Sequence, residues 1–392
     1  MKFLRTLPTR RLVLFLAAVV ALAAGGTAIA VASSGGGPTP PAKPLDQAIH
    51  DAVAAPAPAG IKARVKFTNR LFPSGALLGN VGSALMSGAS GRLWATNDGR
   101  GRIELQSDAG DVEIVWNQST VNVYDASSNT VYRVALPAKQ GGASSAVDKG
   151  APPALSEIDS LLSKLGAHAT VSAARPTDIA GRPAYDASVS PKHDGGLLAS
   201  AELAWDAERG VPLRIAIFAQ GSSSPVLELS VTQISYGSVP TSDVDLQPPA
   251  GAKIVDLGTP GQEPSTGDKT APVTGLAAVQ AAAGFPVTAP ETLVGLPRQD
   301  VRLVGGSDSK TALAVYGHGL GAIVVIEHKA DSTQSNNGAL SGLPTVSLSG
   351  VSAHELATQL GTVLEWQRTG TSYVLAGSLP SAAAEAAARQ LK

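Results

Sequence analysis

Hydrophobic residues between positions 61 and 237 recur at every second position in short runs, which is the pattern of half-buried β-strands. Two such runs flank a charged turn at 206–210 and predict an antiparallel pair with one apolar face. The apolar positions on that face are Leu203, Trp205, Leu213, Ile215 and Ile217. Such a face is a packed core where a second layer covers it, and a pocket for an apolar molecule where it encloses space.

About eleven runs of this kind predict a mainly antiparallel sheet. Asn97-Asp98-Gly99 and Asp108-Ala109-Gly110 lie at hairpin spacing between runs. The runs are 61–69, 84–95, 101–107, 111–117, 120–125, 130–136, 167–175, 182–190, 198–206, 211–220 and 225–236.

Two segments show the helical period instead. Residues 45–54 predict a short amphipathic helix, and residues 154–166 predict a second helix with Ser156 at or near its cap. The second helix carries Ile158, Leu161, Leu162 and Leu165 on one face. We expect that face to cover the apolar side of the sheet.

The C-terminal part predicts a separate, small α+β domain at 272–392, after a linker at 253–271 that is rich in proline and glycine. Its Ala-rich start is followed by strand patterns at 311–316 and 322–328. We expect a helix from near Ser352, two further strands, and a last helix capped by Ser381.

The N-terminus predicts export. Lys2, Arg5, Arg10 and Arg11 precede about twenty uncharged, mostly apolar residues. Residues 1–32 are therefore a cleaved signal peptide or an uncleaved membrane anchor, and both alternatives stay open. A flexible linker at 33–44 follows, and the rest of the chain is expected to be extracytoplasmic, either anchored at the membrane or secreted.

Composition narrows the class of protein. Charged residues make up 16% of the chain and the net charge is -1. The chain therefore lacks the basic excess that nucleic-acid binding requires, and no nucleic-acid partner is expected. The chain has no cysteine, so an ordinary buried core has to stabilise it without disulfides or thiolate metal ligands.

The order of segments IKARVKFTN, GRLWATNDGRGRIELQ, GRPAYDASVSP, AELAWDAERGVPLRIAIF and VDLQPPAGA resembles LolA-like lipoprotein carriers and the related RseB/MucB sensor domains and mycobacterial lipid-carrying lipoproteins. The resemblance covers about residues 45–252. It implies an antiparallel sheet of about eleven strands, bent into an unclosed barrel, with helices as a lid over an apolar cavity for acyl chains. The chain lacks the lipid-modified cysteine of the mycobacterial carriers.

Candidate chemical sites are sparse. His354 and Glu355 begin a zinc-protease pattern, but Thr358 occupies the position of the second histidine. His318, Glu327 and His328 are interpreted as surface polar residues of a strand pair, and Asp206, Glu208 and Arg209 as solvated charges of a turn. We expect no metal, no cofactor and no enzymatic activity.

The sequence thus predicts a non-enzymatic protein that binds lipid or lipoprotein acyl chains in a hydrophobic half-barrel. An alternative is a membrane-associated sensor that binds a membrane-protein partner with the same fold. The predicted cavity wall consists of Trp94, Ile114, Trp116, Leu203, Trp205, Leu213, Ile215 and Ile217.

Overall fold

A computed structural model describes residues 37–71, 84–136, 154–167, 169–192, 196–245, 249–257, 273–305, 310–330 and 343–391. The predicted signal or anchor at 1–32 and most of the predicted linker at 253–271 lie outside these ranges. Within them, the chain forms 21 strands, arranged in two sheets, and five α-helices. No helix among the described residues combines the length and apolarity that a bilayer crossing requires.

The first sheet contains 13 strands within the described residues. Their order across the sheet is β13-β6-β5-β4-β3-β2-β1-β12-β11-β10-β9-β7, and β8 pairs with β9. The strands are β1 Gly60–Asn69, β2 Ala89–Thr96, β3 Gly101–Ser107, β4 Gly110–Trp116, β5 Thr120–Asp125, β6 Thr130–Ala135, β7 Ala169–Val171, β8 Arg175–Ile179, β9 Arg182–Pro191, β10 Leu198–Asp206, β11 Pro212–Ala219, β12 Leu227–Tyr236 and β13 Lys253–Asp256.

The sheet is curved and open, as predicted. All neighbouring strands are antiparallel except β13, which lies parallel to β6. One face of the sheet curls around a single hydrophobic core, and the edge strands β13 and β7 belong to opposite ends of the strand order. We call the face that surrounds this core the concave face and the opposite one the convex face.

Two of the predicted strand runs are wrong in detail. The run 84–95 begins with a one-turn helix, α2 Ala84–Ser87, and continues as β2 only after Gly88, whose φ of 87° breaks the chain direction. The run 167–175 forms the short strand β7, and β8 starts at its end. In addition, residues 253–256 of the predicted linker form β13, which extends the sheet beyond β6.

Helices cover one part of the concave face. α1 Leu45–Ala54 buries Ala48 against the core, and α3 Leu155–Gly166 packs on α1 and β7. The residues before α1 also contact the sheet, because the Tyr185 hydroxyl donates a hydrogen bond of 2.6 Å to the carbonyl of Pro41.

The predicted face of α3 is only partly correct. Ile158 is buried, but Leu161 is 64% exposed and Leu165 is also exposed. The helix therefore touches the rest of the protein along a narrow line instead of burying all four predicted apolar residues.

The second sheet has eight antiparallel strands within the described residues, in the order β14-β15-β16-β17-β21-β20-β19-β18, and its own hydrophobic core. Two helices pack on it. The elements are α4 Leu276–Ala283, β14 Thr292–Leu293, β15 Leu296–Val304, β16 Thr311–Tyr316, β17 Ile323–Lys329, β18 Thr345–Leu348, β19 Val351–Thr358, β20 Gly361–Arg368, β21 Thr371–Gly377 and α5 Ser381–Gln390.

The helix predicted to start near Ser352 is wrong. These residues form β19, in which Ala353 is fully buried opposite Trp366 of β20. Pairing with β20 and β18 on both sides overrides the local preference of a short polar and alanine-containing segment.

Candidate binding site

An apolar cavity of about 280 Å³ opens on the concave face of the first sheet. Its wall comes from six neighbouring strands, β4, β3, β2, β1, β12 and β11. The apolar lining residues are Ile61, Ala63, Val65, Leu93, Ala95, Ile103, Trp116, Val211, Pro212, Leu213, Ile215, Leu229, Val231 and Ile234.

The wall is assembled by strand register. Ala63 of β1 lies directly opposite Leu93 of β2 on one side and Ile234 of β12 on the other. On the next strand, Ile103 lies opposite Leu93 and continues the same row. Because side chains alternate between the two faces, a single row of opposed residues stays apolar across four strands.

Three of the predicted wall residues line the cavity: Trp116, Leu213 and Ile215. Ile114, Leu203 and Trp205 lie in the same hydrophobic core but are fully packed beside the cavity, and Ile217 packs against that core from a half-buried position. The predicted residues therefore divide into two groups: those next to the open space form the cavity wall, and those where side chains fill the concave face form the packed core.

Trp94 requires a correction. Its neighbours Leu93 and Ala95 line the cavity, so the two-residue period turns Trp94 to the convex face. There the guanidinium groups of Arg92 and Arg102 lie 5.2 and 5.6 Å from the centre of its ring. Trp94 is therefore not part of the cavity wall.

The sequence interpretation missed the centre of the wall, which belongs to β1 and β12. Ile61, Ala63 and Val65 alternate clearly along β1, so their common face was visible in the sequence. Their pairing with β12 was not visible, because about 170 residues separate the partners, for example Ile61 and Tyr236.

The mouth of the cavity is polar. Thr96, Asn97 and Arg100 line it at the β2–β3 turn. Arg100 lies 2.6 Å from Asp98, and its hydrogen bonds to that carboxylate lower the pKa of Asp98 to about 2. The charge at the mouth is thus internally paired, and the wall behind it is mainly apolar.

The turn beside the cavity is built on a buried carboxylate, which corrects the prediction of a solvated charge. Asp206 is fully buried and accepts hydrogen bonds from Arg182 at 2.9 Å and from the Tyr236 hydroxyl at 2.6 Å. The backbone N–H groups of Glu208 and Arg209 donate to its other oxygen. Burial alone favours the neutral acid, but these hydrogen bonds outweigh it and lower the pKa of Asp206.

Glu327 of the second sheet is also buried, which corrects its prediction as a surface residue. One carboxylate oxygen accepts a hydrogen bond of 2.8 Å from the N–H of Thr288, and no partner of the other lies among the described residues. Burial raises the pKa of Glu327 to about 7. Across the described part of the chain, His, Asp and Glu side chains form no group suited to hold a metal ion.

No family model matches this chain, and none of the curated proteins matches it. Solved structures do. MucB in complex with MucA(peri) is 15% identical with a TM-score of 0.42, covering 89% of this chain and 97% of that one. The MucA/MucB complex of Pseudomonas aeruginosa is 15% identical with a TM-score of 0.43, covering 88% and 96%.

A putative outer membrane lipoprotein-sorting protein domain from Vibrio parahaemolyticus is also similar, at 8% identity and a TM-score of 0.25, covering 52% of this chain and 96% of that chain. MucB and a lipoprotein-sorting domain are thus among the solved structures to which this chain is similar.

Proposed function

We propose that this chain is an extracytoplasmic, non-enzymatic protein that holds an acyl chain of a lipid or lipoprotein in the concave face of its first sheet. The observation that carries the proposal is the apolar cavity of about 280 Å³ behind a polar mouth. An apolar cavity of about 150 Å³ is already enough to bind benzene and to exclude water. This volume lies at the lower end of small-molecule sites, about 300 Å³ and above, so it suits part of one chain.

The driving force is the removal of methylene groups from water. Each buried methylene contributes about 0.8 kcal/mol, so a segment of roughly eight contributes about 6 kcal/mol before ordering costs. The paired charges at the mouth leave the polar end of the guest in contact with water. Such a balance gives reversible binding, which a carrier or an acceptor needs.

The test is uptake of a fluorescent fatty acid by the full-length chain. Ala95→Phe fills the cavity from β2, and we expect it to weaken binding at least tenfold with little change in melting temperature. Gln233→Phe adds the same ring to the convex side of β12 and should leave affinity within twofold. No uptake by the unaltered chain, together with no lipid in its native mass spectrum, contradicts the proposal.

A second candidate is a sensor that binds a membrane-protein partner. The packed half of the concave face favours it, because the side chains of Ile114, Leu203 and Trp205 are buried in the core and leave no cavity at their own positions. In that case, we expect cross-linking to recover a protein partner, and the Ala95→Phe variant should recover as much of that partner as the unaltered chain. A lipid carrier predicts loss of the bound lipid from the same variant.

A further inference from the structure

The convex face carries a groove of about 510 Å³ where β12, β1, β2 and β3 lie side by side. It is lined by Arg64, Lys66, Ser90, Arg92, Glu104 and Thr232, among others. Thr232 is the extra residue of a β-bulge, since Arg64 lies opposite Gln233 and Val65 opposite Val231. The groove is mainly polar, whereas the cavity on the other side of the sheet is mainly apolar.

Positive charge is concentrated along this groove. Lys62, Arg64 and Lys66 occupy successive outward positions of β1, and all three are exposed. Arg64 also lies directly opposite Arg92 of β2. Like charges placed directly opposite each other in a sheet destabilise it, so this arrangement needs a role other than stability.

Arg64 and Lys66 differ from the neighbouring cations of this face in their ion pairing. Arg92 lies 3.1 Å from Glu104, and Lys62 lies 3.4 Å from Asp243. Among the described residues, no carboxylate comes within ion-pair distance of the side chains of Arg64 or Lys66. Both exposed cations are therefore available to an external anion.

Trp94 identifies the kind of anion. Its ring is partly exposed, next to Arg92, which lines the groove, and to Arg102. Both arginines also pair with Glu104. A tryptophan beside long cationic side chains suits the boundary between water and a lipid bilayer, where the ring enters the headgroup layer and the cations meet phosphates. An acidic peptide needs no such exposed ring.

We infer that this convex face, defined by Lys62, Arg64, Lys66, Arg92 and Trp94, docks on an anionic membrane surface through lipid phosphate groups. The contact is electrostatic and interfacial, and no lipid has to leave the bilayer. Docking does not depend on the occupant of the cavity, so it holds whether or not an acyl chain binds there.

The experiment uses the absence of cysteine in the natural chain. Ser90→Cys in the groove and Gln299→Cys on the second sheet each give one site for an environment-sensitive dye. The full-length chain is reconstituted in vesicles of phosphatidylcholine, with or without phosphatidylglycerol. We expect a blue shift at position 90 only in the anionic vesicles, its loss in high salt, and no shift at position 299.

A double substitution tests the residues themselves. Arg64→Ser with Lys66→Ser should lower the ratio of docked to free protein about 30-fold, given the contribution of each cation near an anionic surface. Lys164→Ser with Lys253→Ser removes two exposed cations elsewhere and should change that ratio less than twofold. Unchanged melting temperatures exclude misfolding as the cause.

Three results overturn the inference. They are an equal shift in neutral vesicles, a double variant that docks like the unaltered chain, and protection of the dye by a polyglutamate peptide but not by anionic vesicles. The last result assigns the groove to an acidic protein partner instead.

Discussion

Two buried carboxylates, Asp206 and Glu327, have opposite surroundings although neither is more than 1% exposed. Asp206 accepts hydrogen bonds from two side chains and two backbone N–H groups, and its pKa is lowered. Glu327 accepts one backbone hydrogen bond, and its pKa is raised to about 7. The number of donors, not the depth of burial, decides the sign of the shift.

Asp206 is expected to be essential for the stability of the first sheet. Asp206→Ala leaves Arg182 and two turn N–H groups without their acceptor, so the free energy of unfolding should fall by about 3 kcal/mol in urea titrations. Glu208→Ala removes the other, exposed carboxylate that Arg182 contacts and should cost less than about 1 kcal/mol. Equal losses for the two variants would contradict the role given to Asp206.

Glu327 should make stability depend on pH. Its pKa is raised in the folded state, so its contribution is fully present below the ordinary pKa of about 4.5 and is lost as pH rises to about 7. The expected loss is on the order of 3 kcal/mol. Glu327→Gln should remove this dependence and exceed the unaltered chain in stability at pH 8.

Denaturant titrations at pH 5 and pH 8 measure this effect. Glu291→Gln, at an exposed position of the same part of the chain, is the matched control and should leave the pH profile unchanged. The assignment fails if Glu327→Gln keeps the pH dependence of the unaltered protein.

At the scale of elements, α3 differs most from what its periodicity suggests. The spacing of its leucines is that of a helix with a wide buried face, yet among the described elements its main contacts are with α1 and the short edge strand β7. Neither described element is broad enough to cover Leu161 and Leu165, and both are exposed.

Substitutions in α3 should therefore have unequal effects. Ile158→Ala removes a buried side chain and should lower the free energy of unfolding by about 2 kcal/mol. Leu161→Ala changes an exposed position to a strong helix former and should stay within about 0.5 kcal/mol. A large loss from Leu161→Ala would mean that α3 packs more closely in solution.

At the scale of the whole molecule, the two sheets have separate hydrophobic cores. Hydrogen bonds connect them where the Gln359 side chain donates to the carbonyl of Arg70 at 2.6 Å, and where the N–H of Leu197 donates to the Ser378 hydroxyl at 2.8 Å. The division into domains at 45–252 and 272–392 stays a prediction, which separate cores support.

Calorimetry of the full-length chain can test this division. Domains with separate cores and a polar contact should unfold in two transitions. At pH 8, Glu327→Gln should raise the temperature of one transition, and Asp206→Ala should lower the temperature of the other. A single transition that moves as a whole in both variants would contradict the division.

Much of the fold was predictable because the alternation along each strand is local. The hairpin strands β3 to β6 lie close to the predicted runs, since short turns fix each pair. The face of the sheet to which Trp94 points was not predictable in the same way. Aromatic residues suit either face of a half-buried sheet, and only the orientation of Leu93 and Ala95 toward the core excludes it from the wall.

By itself, the sequence determined the strand periodicity, the apolar face and the resemblance to a lipoprotein-carrier fold, because these depend on neighbouring residues. Tertiary structure alone decided which part of that face is filled and which is open. Pairing of β1 with β12 across about 170 residues placed the cavity, and burial in three dimensions gave Asp206 and Glu327 their opposite electrostatics. Local patterns carry no information about such distant contacts, so these features appeared only with the folded chain.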